Sequence, residues 1–253
     1  MPLSWAVTSH AGLRRSANED SYCVRPELGL FAVADGMGGH VAGEIASRIA
    51  IDAIAAFVQE THGADRNRTW PFPFETRYSI EANRLKAALR LANRRLAQEM
   101  AGTEGLRGMA TTASALLITG DRVALAHVGD SRVYRLRGGR FEQVTQDHSW
   151  VEEQVRAGSL SVTDARHHPW RNVVTRALAG GEDPEIDVRD LTLEGGDRWL
   201  VCSDGLSGVV GDDRLGEIVG VEGPLQGICD ELVAAANAAG GPDNITALML
   251  QVE

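Results

Sequence analysis

This chain of 253 residues has little cysteine and almost no lysine. Its three cysteines (Cys23, Cys202 and Cys229) lie far apart and are odd in number, which favours reduced thiols in a cytoplasmic protein over a disulfide framework or a zinc knuckle. Because Lys86 is the sole lysine, a Gly-x-x-x-x-Gly-Lys phosphate-binding loop is excluded. The sequence has no apolar run of about 18 residues and no basic segment followed by an apolar one at its start. We therefore expect neither a membrane span nor a secretory signal.

Positive charge is also scarce. The formal net charge is -10, so the chain lacks the basic footprint with which proteins bind nucleic acid. Hydrophobic residues make up 43% of the chain and charged residues 24%, values that are ordinary for a soluble globular enzyme. An excess of carboxylates is compatible with bound metal ions, because such ions neutralise charge that a formal count leaves uncompensated.

Hydrophobic periodicity divides the chain into strands and helices. Strands are predicted at 3–10, 21–34 (with a turn at 26–29), 110–119, 122–128, 132–137, 140–145, 186–193, 197–203 and 244–252, and helices at 41–60, 79–101 and 224–239. Strands in runs, with helices between and after them, indicate an α+β fold of antiparallel sheets covered by helices. No Pro/Gly/Ser linker divides the chain, which predicts one domain over 1–253. Since the last strand reaches the end of the sequence, we expect no attached anchor or sensor domain.

Some features have an ordinary structural explanation. We expect His127, in an apolar strand, to be a core histidine with satisfied hydrogen bonds, and the arginine-rich face of the 79–101 helix to be solvated. An irregular insertion at 62–78 contains the aromatic and proline patch Trp70–Phe74. We expect this patch to pack against the protein, the alternative being a docking surface for a partner.

Two apolar runs each end in an Asp-Gly pair, Asp35-Gly36 and Asp204-Gly205. Such a run predicts a buried strand that carries a carboxylate to its end. Further acidic clusters stand beside predicted strands, with Glu19 and Asp20, Asp130, and Asp243 as their carboxylates. A single Asp-Gly pair is more often a plain turn. Five clusters at strand ends, each with small residues beside it, favour a site of oxygen ligands for divalent cations.

The donor types favour Mg²⁺ or Mn²⁺, which prefer oxygen ligands. The sequence has neither a His-Glu-x-x-His nor a Cys-x-x-Cys pattern, which disfavours zinc. Two such ions can activate a water and stabilise both oxygens of an in-line displacement. From the residues alone, Asp35 at the end of a rigid strand is the candidate to bridge the two ions. Asp204 and Asp243 are the candidates for one ion, and Glu19 with the Gly36 carbonyl for the other.

The chain resembles the bacterial branch of the PPM family, the metal-dependent, type-2C-like serine/threonine protein phosphatases. Each motif is weak alone, but their order over almost the whole chain is specific. The matching segments are Gly12–Asp20, Asp35–His40 with Gly43-Glu44, Met109–Thr112, His127–Arg132, Asp147–Ser149, His168–Leu178, Ser203–Leu206 and Pro242–Thr246.

The resemblance implies a four-layer α-β-β-α sandwich, in which two antiparallel sheets are flanked by helix pairs and the metal site lies at one end. Asp35 would bridge two Mn²⁺ or Mg²⁺ ions, with the Gly36 carbonyl on one of them. Asp204 and Asp243 would hold the first ion, and Glu19 and Asp20 would bind or orient waters around the second. A third, weaker metal would bind at Asp130. Residues with other implied roles are Arg15 on the substrate phosphate, Asn244 in support of Asp243, and Ser131 beside Asp130.

The implied reaction is hydrolysis of phosphoserine and phosphothreonine in proteins by direct attack of a metal-activated water. Many eukaryotic members have a histidine directly after the bridging Asp-Gly, where this chain has Met37. His40 lies three residues further on, so the identity of the proton donor stays open. Residues 149–178 fall where bacterial members have a mobile flap, and such segments gate access and select substrates.

Two alternative functions are considered. A metallophosphoesterase also uses two metals, but this chain lacks the Gly-Asn-His-Asp or Gly-Asn-His-Glu segment of that family. The other is a catalytically silent domain of the same fold that binds phosphoproteins or regulates a partner. Retention of Asp35, Asp130, Asp204 and Asp243 favours an active enzyme. We expect a cytoplasmic monomer that acts on phosphorylated proteins, with a cognate serine/threonine kinase as partner and neither nucleic acid nor membrane.

Overall fold

A computed structural model describes residues 2–38, 42–65 and 68–253. The strands are β1 Leu3–His10, β2 Asp20–Arg25, β3 Leu30–Met37, β4 Ala110–Thr111, β5 Ala113–Thr119, β6 Arg122–Val128, β7 Arg132–Arg137, β8 Arg140–Gln143, β9 Asp187–Thr192, β10 Arg198–Cys202 and β11 Ile245–Val252. The α-helices are α1 Ala42–Glu60, α2 Ile80–Gly102, α3 Trp150–Arg156, α4 Val162–His167, α5 Asp204–Ser207, α6 Asp212–Val219 and α7 Leu225–Ala238. Short 3₁₀ turns cover Pro26–Leu28 and Glu104–Leu106.

The strands form two antiparallel sheets. One has the order β1-β11-β10-β7-β8, and the other has the order β2-β3-β5-β6-β9 with β4 paired to β3. The apolar faces of the two sheets pack against each other around Phe31, Leu125, Trp199 and Leu248. Helices α1 and α2 cover the β2–β9 sheet, and α6 and α7 cover the other. This is the four-layer α-β-β-α sandwich expected from the resemblance.

Turn chemistry explains several connections. The two-residue turns Gly120-Asp121 and Gly138-Gly139 join β5 to β6 and β7 to β8, as predicted. Both residues of the second turn have positive φ, which glycine adopts without steric cost and which matches the twist of a hairpin. Helix α2 begins after Ser79, whose side chain accepts a hydrogen bond from the amide of Ala82. The predicted bounds of these elements are therefore close to the observed ones.

Three predictions need correction. The predicted strand 110–119 is split into β4 and β5 at Thr112, which pairs through its backbone amide with the Asp35 carbonyl. Helix α6 was not predicted. The arginine-rich face of α2 is only partly solvated, because Arg84 is buried and the guanidinium groups of Arg90 and Arg94 lie over the Phe72 ring.

Two structural expectations are confirmed. His127 is fully buried, and its ring nitrogens are 2.9 Å from Ser114 Oγ and 3.0 Å from the Gln146 carbonyl oxygen. In the insertion, Phe72 is buried and Trp70 packs edge-on against Phe57 of α1. None of the described helices is long and apolar enough to cross a membrane.

Candidate metal centre

Five aspartates come together at one end of the sandwich because of strand register and order. Asp20 begins β2 and lies directly opposite Asp35 of β3 in the antiparallel ladder. Asp204 follows β10 and Asp243 precedes β11, and these two strands are antiparallel neighbours. Asp130 lies in the loop between β6 and β7, which connects the two sheets. Asp20 also accepts hydrogen bonds from Ser203, which precedes Asp204, and from Thr246, near Asp243. The charge of Asp204 raises the pKa values of Asp20, Asp35 and Asp130, as expected for neighbouring carboxyl groups.

Asp35 is held by its backbone. Its amide donates a hydrogen bond to the Thr112 hydroxyl at 3.0 Å, and its carbonyl accepts from the Thr112 amide at 2.9 Å and the Thr111 hydroxyl at 2.8 Å. Thr112 Oγ1 is in turn 2.6 Å from the hydroxyl of Ser131. The two threonines therefore fix Asp35, and Ser131 connects this support to the loop that carries Asp130.

Asp20 is a buried carboxyl group with one unsatisfied oxygen. Its Oδ2 accepts hydrogen bonds from the hydroxyls of Ser203 at 2.7 Å and Thr246 at 2.6 Å. Its Oδ1 is buried and has no hydrogen-bond partner among the described residues. Burial, together with the charges of Asp204 and Asp243, raises the pKa of Asp20 to about 7, although both hydroxyls favour the ionised form.

The buried carboxyl groups of Asp35 and Asp204 are close enough to influence each other's pKa. Burial and the neighbouring charges of Asp20, Asp204 and Asp130 raise the pKa of Asp35 well above its usual range. Burial and Asp243 raise the pKa of Asp204, and burial and Asp204 raise that of Asp130. Adjacent buried carboxylates cannot all ionise unless a cation is bound between them. A proton on one of these carboxyl groups therefore takes the place of such a cation.

Glu19 and the Gly36 carbonyl face each other across Gly43 of α1. A Cβ atom at Gly43 would lie 2.5 Å from Glu19 Oε2 and 3.0 Å from the Gly36 oxygen. A side chain at Gly43 would therefore fill the space between these two oxygens. Burial, with the charges of Asp243 and Glu44, raises the pKa of Glu19 despite the opposing charge of Arg15.

Arg15 lies at the exposed rim. Its guanidinium donates a hydrogen bond to Asp243 Oδ2 at 2.7 Å, which raises the pKa of Arg15, and about half of its side chain is exposed. The preceding turn approaches this site closely because Gly12 has φ +76°, and a Cβ there would collide with the Asp243 carbonyl. Arg15 is therefore free on one side to contact a ligand at the mouth of the site.

Asn244 supports the neighbouring segments. Its side-chain oxygen accepts from the Glu19 amide at 2.8 Å, and its side-chain nitrogen donates to the carbonyls of Ala11 at 3.0 Å and Ala17 at 2.8 Å. Its own amide donates to Asp243 Oδ1 at 2.9 Å. This one side chain thus connects the loops that carry Arg15, Glu19 and Asp243.

The donor set fits a pair of hard divalent cations. No three His, Cys, Asp or Glu side chains of the described residues are arranged as a metal-binding group. Some of the carboxylates have protein partners, since Asp243 binds Arg15, and one oxygen of Asp20 accepts hydrogen bonds from Ser203 and Thr246. The unsatisfied Asp20 oxygen, the space at Gly43 and an all-oxygen donor set nevertheless match what Mg²⁺ or Mn²⁺ requires. His40 lies outside the described residues.

Comparison with known proteins identifies the family. The family model described as protein phosphatase 2C matches residues 10–246, which includes every aspartate of the site. The chain belongs to the protein phosphatase 2C family.

Bacterial phosphatases are among the relatives of this chain. The chain is 38% identical over 251 residues to the serine/threonine protein phosphatase PstP of Mycobacterium tuberculosis, covering 99% of this chain and 45% of PstP. It therefore spans about half the length of that relative. It is 32% identical to the protein phosphatase PhpP of Streptococcus pneumoniae, with coverage of 98% and 96%. A crystal structure of the PstP catalytic domain in complex with two manganese ions superposes with a TM-score of 0.83 at 35% identity, covering 99% of each chain.

Sequence analysis missed several residues of this phosphatase 2C fold that hold the site together. Ser203 and Thr246 hold Asp20, and Thr112 holds Asp35. These three hydroxyl residues lie close in sequence to the predicted site residues. A hydroxyl residue near a strand-end carboxylate is therefore the sequence feature that could have identified them. What could not be read from the sequence is that Ser203 and Thr246, 43 positions apart, meet on adjacent strands.

His148 was also missed as a structural link. Its Nδ1 accepts a hydrogen bond from the Gly129 amide at 3.1 Å, and its backbone amide donates to the Gly129 carbonyl at 2.7 Å. Its carbonyl accepts from the Thr175 amide at 2.8 Å, and its ring stacks near that of His127 with centroids 4.8 Å apart. His148 therefore joins the loop of Asp130 to the 149–178 segment.

Proposed function

We propose that this chain is a metal-dependent protein-serine/threonine phosphatase, a phosphoric monoester hydrolase. The observation that carries the proposal is the convergence of Asp20, Asp35, Asp130, Asp204 and Asp243 at one end of the sandwich, with Arg15 at its mouth. This arrangement suits a phosphate ester, which needs positive charge around its oxygens and a water for attack on phosphorus.

Residues of this chain would hold two Mn²⁺ or Mg²⁺ ions. Asp35 stands at the centre of the cluster and would bridge them. Asp204 and Asp243 would be further ligands of one ion. The Gly36 carbonyl, Glu19 and Asp20 would bind the other ion directly or through waters. Asp130, with its buried carboxyl group of raised pKa, is the proposed ligand of a third metal. The manganese ions described for PstP support the choice of a two-metal site.

Bound cations of this kind lower the pKa of a water and neutralise charge on the phosphate. The chain's own residues favour water over a covalent nucleophile. Burial raises the pKa of the Cys23 thiol to about 11 and those of Cys202 and Cys229 to about 12, so none is a thiolate at neutral pH. Asp35, fixed through Thr111 and Thr112, would hold its part of the site rigid during the reaction.

Arg15 would bind the substrate phosphate. Its planar guanidinium offers several donors, of which one contacts Asp243, and it lies at the exposed rim where a phosphorylated side chain would enter. Asn244 holds Arg15 and Asp243 at a fixed distance, because its side chain hydrogen-bonds the loop that carries Arg15.

The proposal also covers the flap, the domain organisation, the partners and the location of the protein. Helices α3 and α4 lie in the 149–178 segment, which we infer to be a flap beside the site within a single domain over 1–253. Phosphorylated proteins are the proposed substrates, and a cognate serine/threonine kinase the proposed partner. The three unpaired, buried cysteines are compatible with a monomer in the cytoplasm.

Hydrolysis of a phosphothreonine peptide tests the proposal. We expect turnover with Mn²⁺, no turnover with excess chelator, and loss of at least about a thousandfold in Asp204→Asn, because removal of a charge-stabilising group costs that order in kcat. Asp52→Asn, an exposed change on α1, is the matched control and keeps wild-type activity. Metal-independent hydrolysis, or full activity of Asp204→Asn, would refute the proposed mechanism.

The second candidate is a catalytically silent domain that binds phosphoproteins. It is favoured only by the protein partners that some of the carboxyl groups already have, namely Arg15 on Asp243 and the hydroxyls of Ser203 and Thr246 on Asp20. Inactivity of the wild type with both Mn²⁺ and Mg²⁺, combined with retained binding of a phosphothreonine peptide, would support this candidate.

A further inference from the structure

Strand β9 forms an edge of the second sheet, with β6 as its only described neighbour. The Leu193 amide donates to the Asp121 carbonyl, so odd-numbered residues of β9 turn their backbone groups towards β6 and even-numbered residues turn them outwards. The outward amides and carbonyls of Val188 and Asp190 make no hydrogen bond to any described residue. The outer edge of β9 is thus able to pair with another extended chain.

A groove of about 280 Å³ runs between this edge and helix α2. A neighbouring groove of about 290 Å³ shares Arg77 and Tyr78 with it and continues to Arg122. Basic side chains predominate among the charged residues that line the two grooves. They are Arg77, Lys86, Arg90, Arg122 and Arg189.

Three of these cations have no carboxylate partner among the described residues, namely Arg90, Arg122 and Arg189. Among the described residues, the buried Nε of Arg90 makes no hydrogen bond, and the Arg189 guanidinium lies on the face of β9 opposite α2, where it donates to the Val144 carbonyl. Unpaired arginines are conspicuous in a chain whose net charge is -10.

The carboxylates of the same region are already engaged. Glu75 binds Lys86 and Arg77, and Asp190 accepts hydrogen bonds from the amide and hydroxyl of Ser79. Asp187 and Glu185 face Arg176 at 3.5 Å and 3.4 Å. The positive groups are therefore the ones left available to an incoming ligand.

We propose that the outer edge of β9 and this groove form a docking site for an extended acidic segment of the protein substrate. Pairing with Val188 and Asp190 requires a polypeptide backbone, and Arg90 and Arg122, on the α2 side of the sheet, favour carboxylates on it. The assignment to a substrate rests on the proposed phosphatase function. Docking would hold the substrate beside the flap, since Asp187 at the start of β9 also contacts His148 at 3.4 Å.

Direct binding tests the site without catalysis. The probe is a fluorescein-labelled decapeptide of alternating Glu and Val, with a Lys-Val decapeptide as the charge control. We expect Arg90→Glu/Arg122→Glu to weaken binding of the acidic probe at least tenfold, and added salt to weaken it in the wild type. Arg95→Glu, an exposed change on the same helix outside the groove, is the matched control and leaves binding unchanged. Arg122→Glu, an exposed single change, is used if the double variant fails to fold.

Hydrogen exchange distinguishes strand pairing from simple charge attraction. On addition of the acidic probe, the amides of Val188 and Asp190 should become protected, whereas the Arg189 amide already faces β6. Unchanged exchange at both outward amides would overturn the docking geometry. Equal affinity for the Glu-Val and Lys-Val probes would overturn the site itself.

Kinetics connect the site to the substrate. For a phosphothreonine peptide preceded by an acidic extension, Arg90→Glu/Arg122→Glu should raise KM about tenfold and leave kcat unchanged. Turnover of p-nitrophenyl phosphate should stay at the wild-type level. If the acidic probe binds but no phosphopeptide is hydrolysed, docking stands and the proposed function fails. If the phosphopeptide is hydrolysed and the KM of the variant is unchanged, the proposed function stands and the docking site fails.

Discussion

The buried carboxyl groups of Asp35 and Asp204 both have raised pKa values, which favours a proton held inside the metal-free site. In the unfolded chain both groups ionise with ordinary pKa values, whereas burial raises both pKa values in the folded protein. Between these pKa values the folded state binds more protons than the unfolded state, so the metal-free protein loses stability as pH rises. The residues that suit catalysis are therefore a source of instability without cations.

Asp35→Asn should stabilise the metal-free protein while abolishing activity. Asparagine keeps the size and the ability to donate to Asp204, and it removes a carboxylate that must otherwise stay protonated. The gain in free energy of unfolding should be small at pH 4 and should grow up to pH 8. Thermal unfolding with excess chelator at several pH values measures it, with Asp52→Asn as the control. A variant that is less stable than wild type at pH 8 would contradict this account.

Arg15→Lys should affect substrate binding more than turnover. A lysine keeps the positive charge but loses the planar set of donors, so the KM for a phosphothreonine peptide should rise about tenfold with a smaller change in kcat. Arg14→Lys, an exposed change at the neighbouring position, serves as the comparison. Identical kinetics in both variants would show that Arg15 does not contact the phosphate.

At the scale of elements, α6 shows where pattern recognition fails. Its apolar residues Leu215, Ile218 and Val219 follow the helical period, but the helix is only eight residues long, contains Gly216 and is flanked by Gly211 and Gly220. Glycine disfavours a helix interior, so the pattern alone does not predict a helix here. Gly216 is explained by tertiary contact, because a Cβ there would lie 3.1 Å from the Phe141 side chain. No local pattern contains this contact.

The link through His148 leads to a prediction about two elements together. His148→Ala leaves the buried Gly129 amide without its side-chain acceptor, which should lower the free energy of unfolding by about 1–3 kcal/mol. Because Gly129 precedes Asp130, we also expect a higher Mn²⁺ concentration for half-maximal activity.

His148→Asn is the matched variant. An asparagine side chain offers an acceptor oxygen close to the position of Nδ1, so it should restore part of the stability and part of the metal response. Denaturant unfolding and manganese titration of the activity measure the two effects. A metal response of His148→Ala equal to that of wild type would limit His148 to a purely structural role.

The whole molecule is two sheets that pack face to face, with the acidic cluster at one end. The repeated pairing of apolar runs with strand-end carboxylates allowed the α+β class, the helix and strand positions and the acidic residues to be predicted from the sequence. The hydrogen bonds of Asp20 to Ser203 and Thr246 and the groove beside β9 could not be predicted. They depend on which strands become neighbours, and this order arises from packing of the complete chain.

Metal ions should stabilise the folded molecule as a whole. A cation that binds the folded state at 100 times its dissociation constant contributes about 2.7 kcal/mol. For a chain of this size that corresponds to a rise in Tm of roughly 5–10 °C. Thermal unfolding with millimolar Mn²⁺ and with chelator measures the difference, and Asp35→Asn should reduce it. Superimposable curves with and without Mn²⁺ would contradict a cation site in the acidic cluster.

The most direct test of the central claim combines metal content with activity on one sample. Manganese is titrated into chelator-treated protein, and bound ions per chain and hydrolysis of a phosphothreonine peptide are measured at each step. We predict that activity appears as the second ion binds, and that Asp204→Asn loses both high-affinity manganese and activity. Hydrolysis at zero occupancy, or two bound ions in the wild type without hydrolysis, would contradict the claim that this carboxylate cluster is a two-metal phosphatase centre.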